Sequence, residues 1–246
     1  MTVKASNKPL IDIVDMQVDF IDPAGRLPIA GAMAIVPAFN AFLKELRADD
    51  ARAILVKYDT HFAGEYPLSP ESAAFPNIHC EWNSKGQRAL IETDNLAVPV
   101  FHMNKNEFNM WGQNPTDINR IPFTNAAERQ GYLNLFKVTP SFNDLTPGTP
   151  RDEWLARQGV TAQTPVVMAG VASDYCVLDA MKGYIDKGHP VTILTDLTAG
   201  IGGDASRGAS GKIEDVCAQN FPAEMQSGQL RLMTSRQYLA RNIAMQ

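Results

Sequence analysis

Cysteine is scarce in this chain. Its three cysteines, Cys80, Cys176 and Cys217, are far apart and odd in number, which argues against a disulfide framework and suits a reducing, cytoplasmic setting. Positive charge is also in deficit: 22 Lys and Arg stand against 27 Asp and Glu, a net of −5. Such a balance leaves no basic face for nucleic acid and no polybasic patch for a membrane. No apolar run is long enough to span a bilayer. The opening residues, MTVKASNKPL, lack the apolar core of a signal peptide and run straight into a strand. Repeats and low-complexity tracts are missing too. What remains is an ordinary globular composition, 45% apolar and 20% charged over 246 residues, enough for one large α/β domain or two small ones.

The most informative stretch is 165–177, PVVMAGVASDYCV. Val166, Val167, Met168 and Ala169 form a continuous apolar run, the mark of a strand buried on both faces. Gly170 breaks the run, a tight connection follows, and 175–187 carries a helical pattern. Cys176 therefore falls on the first turn of a helix, directly after the C-terminal end of a buried parallel strand. Open α/β sheets place their ligands there. A helix N-terminus offers free N–H groups and a positive dipole end, and both favour a thiolate. The same N–H groups can hold an oxyanion formed when sulfur attacks a carbonyl. A buried structural cysteine fits the stretch equally well when it is read alone.

Other strand ends also carry reactive side chains. In LIDIVDMQVDF a first strand delivers Asp15, with Gln17, Asp19 and Phe20 on the turn behind it; acids of this kind also simply cap turns. A second strand over 53–58 runs into Asp59–Thr60–His61, and residues two apart on an extended segment face one way. His79 follows after a loop rich in Pro, Ser and Glu. One carboxylate and two imidazoles suit Zn²⁺, Fe²⁺ or Mn²⁺, and Glu71 or Glu65 in the same loop can add an oxygen. A third strand over 98–103 ends at Asn104–Lys105. A lysine there, near a cysteine, lowers the thiol pKa and holds developing charge.

The stretch from Asn106 to Pro150 has few periodic positions and reads as a long loop or inserted subelement over the sheet, the sort of segment that serves as a lid. Within it, LNLFKV at 133–138 is a strand or part of the insertion. Thr149–Pro150 looks like a helix start. A strand over 191–195 precedes a glycine-rich loop, GIGGDASRGASG, which lacks the Lys-Ser/Thr of a phosphate loop and reads as a flexible turn. Helix, short strand and a terminal helix from Ser235 complete the pattern. Strands alternating with helices predict a parallel sheet with helices on both faces.

Taken together these motifs resemble the isochorismatase-like cysteine hydrolases. The first strand resembles that family's Asp-x-Gln-x-Asp-Phe opening. Asp59–Thr60–His61 and Phe75–Pro76…His79–Cys80 resemble the metal segment of its nicotinamidase branch, and 170–177 is similar to its nucleophile signature. The resemblance spans roughly residues 10–199. It implies a three-layer Rossmann-like fold with a six-stranded parallel sheet, one domain over 1–246 with 106–150 as an insertion, and a triad that hydrolyses a small carboxamide to acid and ammonia. Cys176 would be the nucleophile, Asp15 the general base and Lys105 the stabilising cation. Lys137 is the alternative lysine, since some relatives place theirs nearer the cysteine. A cis Val171–Ala172 peptide would aim the N–H groups of Ala172 and Cys176 into an oxyanion hole. Asp59, His61 and His79, joined by Glu71, would hold the metal, zinc before iron or manganese. Phe20 would stack on the substrate ring, with Trp111 and Tyr175 as further wall. The runner-up substrate is another small amide or carbamoyl compound. Self-association into a homo-oligomer is expected from the same likeness.

Overall fold

The computed structural model describes residues 8–114 and 116–244. The leaderless reading of 1–7 lies outside them. In chain order the elements are β1 (Leu10–Val14), α1 (Val18–Ile21), α2 (Ala32–Glu45), β2 (Ala53–Asp59), α3 (Glu71–Ala74), β3 (Val100–Lys105), α4 (Ala126–Leu133), β4 (Lys137–Thr139), β5 (Thr149–Pro150), α5 (Arg151–Arg157), β6 (Val166–Val171), α6 (Cys176–Asp186), β7 (Val191–Ala199), α7 (Ile213–Asn220), α8 (Pro222–Ser227), β8 (Leu230–Met233) and α9 (Ser235–Ala244).

The eight strands form one sheet in the order β5-β4-β3-β2-β1-β6-β7-β8. The six from β3 to β8 in that order run parallel, as expected. The expectation of six strands falls short by two, because β4 and β5 extend the β3 edge antiparallel. They come from the segment read as an irregular insertion, which also folds α4. Their pairing is only two or three residues long, too short to leave a periodic trace. The predicted helix start at Thr149–Pro150 is strand β5, and α5 begins one residue later.

The central strands β1, β2 and β6 are buried along their whole length. Alternate residues therefore enter opposite cores. Ile11, Ile13, Ile54, Val56, Val167 and Ala169 meet Phe39, Phe42 and Leu43 of α2 on one face. Leu10, Val14, Leu55, Val166 and Met168 meet α6, with Val177, Met181 and Tyr184, on the other. Both faces being covered is what an all-parallel centre requires. From β1 the chain winds outward through β2 and β3 to β5, then returns to β6 on the other side of β1, so the winding reverses between β1 and β6. A crevice opens above such a reversal, at the strand C-termini. Gly170 sits at that point on β6, at φ +123°, opposite Val14 in register. A Cβ here would overlap the Val14 carbonyl, so only glycine lets the two strand ends approach.

Candidate active site

Four strand ends deliver the side chains singled out from the sequence. Asp15 follows β1 in a left-handed conformation (φ 51°), its N–H donating to the Lys57 carbonyl at 3.1 Å. Aspartate tolerates that region better than most residues. Asp59 ends β2 and Lys105 ends β3, directly opposite each other in register. Beyond β6 the Val171–Ala172 peptide is cis, as anticipated, and Cys176 opens α6.

Lys105 is the hub. Its Nζ lies 2.9 Å from Asp15 Oδ2, 3.4 Å from Cys176 Sγ and 3.6 Å from Asp59 Oδ1. Lys105 and Asp15 are fully shielded from solvent, and Cys176 nearly so. Burial opposes the ammonium charge, but Asp15, Cys176, Asp59 and Glu71 outweigh it and hold the Lys105 pKa well above its ordinary value. Burial, reinforced by the Asp15 carboxylate, pushes the Cys176 thiol up, and Lys105 offsets this only in part. Burial thus works against the thiolate that the helix terminus and the lysine favour, which suits the expected pairing of Cys176 with a general base, Asp15. Sequence reading weighed the helix terminus and the lysine but could not weigh burial beside carboxylates. Among the described residues, no hydrogen bond within the protein uses the amide N–H of Ala172 or Cys176. Lys137 is not part of this group; it lies on β4, between β3 and β5, across from Pro150.

A second cluster adjoins the first. His61 Nε2 lies 3.0 Å from Asp59 Oδ2 and 3.2 Å from Glu71 Oε2; His79 Nε2 lies 3.1 Å and 4.0 Å from the same two oxygens. All four residues are buried, and their ligand atoms lie within 4.8 Å of one another. Neither Glu71 carboxylate oxygen accepts a hydrogen bond. Two imidazole nitrogens and two carboxylates converging in this way fit a divalent transition metal. Glu65 stands behind the cluster rather than in it. Its Oε2 is 4.0 Å from His61 Nδ1, and its Oε1 accepts from Asn106 Nδ2 at 2.8 Å. At that separation the glutamate makes no hydrogen bond to the ring, and His61 Nδ1 is without a hydrogen-bond partner among the described residues. His79 Nδ1 lies 3.2 Å from the Asn77 carbonyl.

The expected aromatic wall is only partly assembled. Phe20 lies against His79, ring centroids 5.4 Å apart. Tyr175 packs on Phe75 and Phe108 at 5.4 and 5.2 Å. Trp111 is not among them. It packs over Gly183 and Tyr184 on α6, its Nε1 donating to the Ala180 carbonyl at 3.1 Å. The missing side chain of Gly183 makes that berth. Phe75 and Phe108 take the place beside Tyr175, and their positions flanking His79 and Lys105 in the sequence were the available signal.

Three supporting residues were underread. Gln17 clamps the Asp59 backbone, Nε2 to its carbonyl at 2.7 Å and Oε1 from its N–H at 2.8 Å. Asp19 accepts from the Cys80 N–H at 2.7 Å and so anchors the His79 loop. Asp174 accepts from the amides of Ile201 and Gly202 at 3.0 and 2.7 Å. The glycine-rich loop is therefore tied to the nucleophile turn, where the sequence suggested a free one.

Residues 141–224 match the family model of the isochorismatase domain, and the three-layer α/β fold is the isochorismatase-like one. The class resemblance drawn from the motifs is thereby borne out. More particularly, the chain is 25% identical over 213 residues to a nicotinamidase/pyrazinamidase of Mycobacterium tuberculosis, covering 84% of this chain and 97% of that protein. The pyrazinamidase of Pyrococcus horikoshii in complex with zinc superposes with a TM-score of 0.58 at 23% identity, over 92% of this chain and 99% of that one. An L. infantum protein in complex with nicotinate gives 0.58 at 20% identity, over 94% and 95%. No described helix is long and apolar enough to cross a membrane.

Proposed function

We propose that the whole chain is a metal-dependent amidohydrolase of the nicotinamidase type. It would cleave nicotinamide, or a similar small aromatic carboxamide, to the acid and ammonia through a thioester on Cys176. The observation that carries this reading is the single lysine Nζ held 2.9 Å from a buried carboxylate and 3.4 Å from a buried sulfur, on the rim of a four-ligand cluster.

The chemistry follows from the charges. Asp15 takes the Cys176 proton as sulfur attacks the amide carbon, the role of a base beside a thiol whose pKa burial raises. Lys105 remains charged beside both groups and offsets the negative charge that moves from Asp15 to sulfur and then to oxygen. The free N–H groups of Ala172 and Cys176 receive that oxygen. Collapse breaks the C–N bond, Asp15 returns the proton to nitrogen, and ammonia leaves. Water then gives a proton to Asp15 and attacks the thioester. The C–S bond breaks, and the proton returns to sulfur. A divalent ion held by Asp59, His61, Glu71 and His79, zinc above others, would supply a Lewis-acid anchor for a ring nitrogen. Phe20 and Tyr175, with Phe75 and Phe108, would flank the ring.

The test is ammonia release from purified protein against nicotinamide, pyrazinamide, and non-aromatic amide and carbamoyl compounds, with metal content measured in parallel. Turnover of the pyridine or pyrazine amides by metal-loaded protein supports the reading. Turnover confined to carbamoyl compounds moves the substrate class. No turnover of any amide rejects the proposal.

A further inference from the structure

Asn143 lies in the 106–150 segment, outside the triad and the four-ligand cluster, yet its amide is fully engaged. Its Oδ1 accepts from Asn104 Nδ2 at 3.0 Å and from Gln87 Nε2 at 3.2 Å. Its Nδ2 donates to Gln87 Oε1 at 2.9 Å and to Asn83 Oδ1 at 3.2 Å. That is the full complement of an amide side chain, two donors and two acceptor lone pairs. Asn143 takes a left-handed conformation, φ 53°, which asparagine adopts more readily than most residues.

Its partners lead to both halves of the site. Asn104 precedes Lys105 on β3, and its Oδ1 accepts from Thr60 Oγ1 at 3.1 Å. Thr60 sits between Asp59 and His61, and its Oγ1 accepts from Gln87 Nε2 at 3.0 Å. The Thr60 N–H donates to the Lys105 carbonyl at 2.7 Å. Gln87 in turn offers its carbonyl to Gln17 Nε2 at 2.9 Å, and Gln17 clamps the Asp59 backbone. Thr60, Gln87 and Gln17 are fully buried and Asn104 nearly so, whereas Asn143 is half-buried and Asn83 exposed, so loss of Asn143 takes a partner from the buried amides of Gln87 and Asn104.

We propose that Asn143 is a positioning residue. Through the Gln87–Thr60–Asn104 network it fixes the end of β2 against the end of β3, and with it the spacing between the metal-ligand residue Asp59 and the triad residue Lys105. This rests on the amidase reading for the roles of those two residues, whereas the spacing itself is a property of the fold. The segment that carries Asn143 thereby becomes part of the site's framework.

The test uses Asn143→Gly, which keeps the left-handed backbone and removes the amide. Apo protein titrated with Zn²⁺ against a chromophoric chelator is expected to bind the ion about tenfold more weakly than wild type, the scale of lost outer-shell support. At a temperature well below both unfolding midpoints, kcat on nicotinamide is expected to fall about tenfold, with KM changed less than about twofold. Asn143→Asp, the same shape without the donors, should show both losses and serves if the glycine variant does not fold. Zn²⁺ affinity and kcat both within about twofold of wild type, in a variant with only a lowered unfolding midpoint, overturn the proposal. If wild type hydrolyses no amide, the amidase reading fails by itself and the affinity comparison still decides. If it takes up no metal, the kcat comparison decides.

Discussion

Asp59 and Lys105 stand opposite each other on adjacent parallel strands, with Oδ1 and Nζ 3.6 Å apart. One buried contact thus joins the candidate metal cluster to the candidate triad. Asp59 turns one oxygen to the lysine and the other to both histidines. The two groups of residues share charge as well as space, and a change in either should be felt by the other.

Lys105 is the first place to look for that effect. Lys105→Met should lower kcat on nicotinamide more than about 10³-fold while leaving the fold recognisable by circular dichroism. Cys176→Ala should abolish turnover outright, with no thioester trapped in rapid-quench mass spectra. Lys137→Met, altered on β4 outside the triad, should retain activity near wild type. The reverse pattern, with Lys137 essential and Lys105 dispensable, would move the triad.

The four-ligand cluster makes a separate prediction. Dialysis against a strong chelator should remove activity on pyridine amides, and Zn²⁺ should restore it at about one ion per chain. Glu71→Gln keeps the side-chain shape but gives up the anionic oxygen now 3.2 Å from His61 Nε2. It should weaken Zn²⁺ binding by at least about tenfold. Undiminished affinity in that variant would take Glu71 out of the ligand set.

Aromatic truncation separates wall from scaffold. Tyr175→Leu and Phe108→Leu remove rings from the group beside Cys176 and should raise KM severalfold, with smaller effects on kcat. Trp111→Phe should leave KM unchanged. That ring packs over Gly183 and Tyr184 on α6, so its loss should appear as a drop in unfolding midpoint instead. A raised KM in the Trp111 variant would return it to the substrate wall.

These contrasts mark how far the sequence reaches. Buried parallel strands announce themselves as unbroken apolar runs, and each reactive group stood next to one. Asp15, Asp59, Lys105 and Cys176 could therefore be assigned to equivalent strand ends from their neighbours alone. Trp111 could not be placed, because its berth is the missing side chain of Gly183, some seventy residues later. The polar framework was equally hidden. Gln17, Gln87, Asn104 and Asn143 meet through contacts between distant segments, and amides leave no periodic trace. Strands β4 and β5 were too short to register. The upward push on the Cys176 thiol comes from burial, which only the assembled fold provides.

Acid should weaken the fold through His102. Burial pushes its pKa down to about 4 from the ordinary 6.5, and Asp94 offsets this only slightly. Tyr58 Oη lies 3.0 Å from its Nδ1. The unfolded chain thus takes up this proton near pH 6.5, before the folded one does. The histidine's contribution is complete above that pH, is lost as pH falls toward about 4, and levels off below. With its partial exposure allowed for, the loss is about 2 kcal/mol. Urea unfolding at pH 7 and pH 4.5 should show a smaller difference between the two conditions for His102→Asn than for wild type. Equal differences would rule out this source.

One buried charge pair has no part in the proposed reaction. Asp12 on β1 and Lys57 on β2 are fully buried, with Oδ2 and Nζ 3.1 Å apart. They lie on the sheet face that packs against α6, where their strand neighbours are apolar. Lys57 Nζ also meets Met110 Sδ at 2.8 Å. Burial pushes the Asp12 carboxyl up and the Lys57 ammonium down, each partly restored by the other. Removing one partner strands the other charge in hydrocarbon, so Asp12→Leu alone should cost about 3–5 kcal/mol. Asp12→Leu combined with Lys57→Met removes both charges and keeps the volume, and should regain most of that loss or exceed wild type. Chemical denaturation of the two single variants and the double variant completes the cycle. A double variant no more stable than Asp12→Leu would mean that the pair contributes through geometry rather than mutual neutralisation.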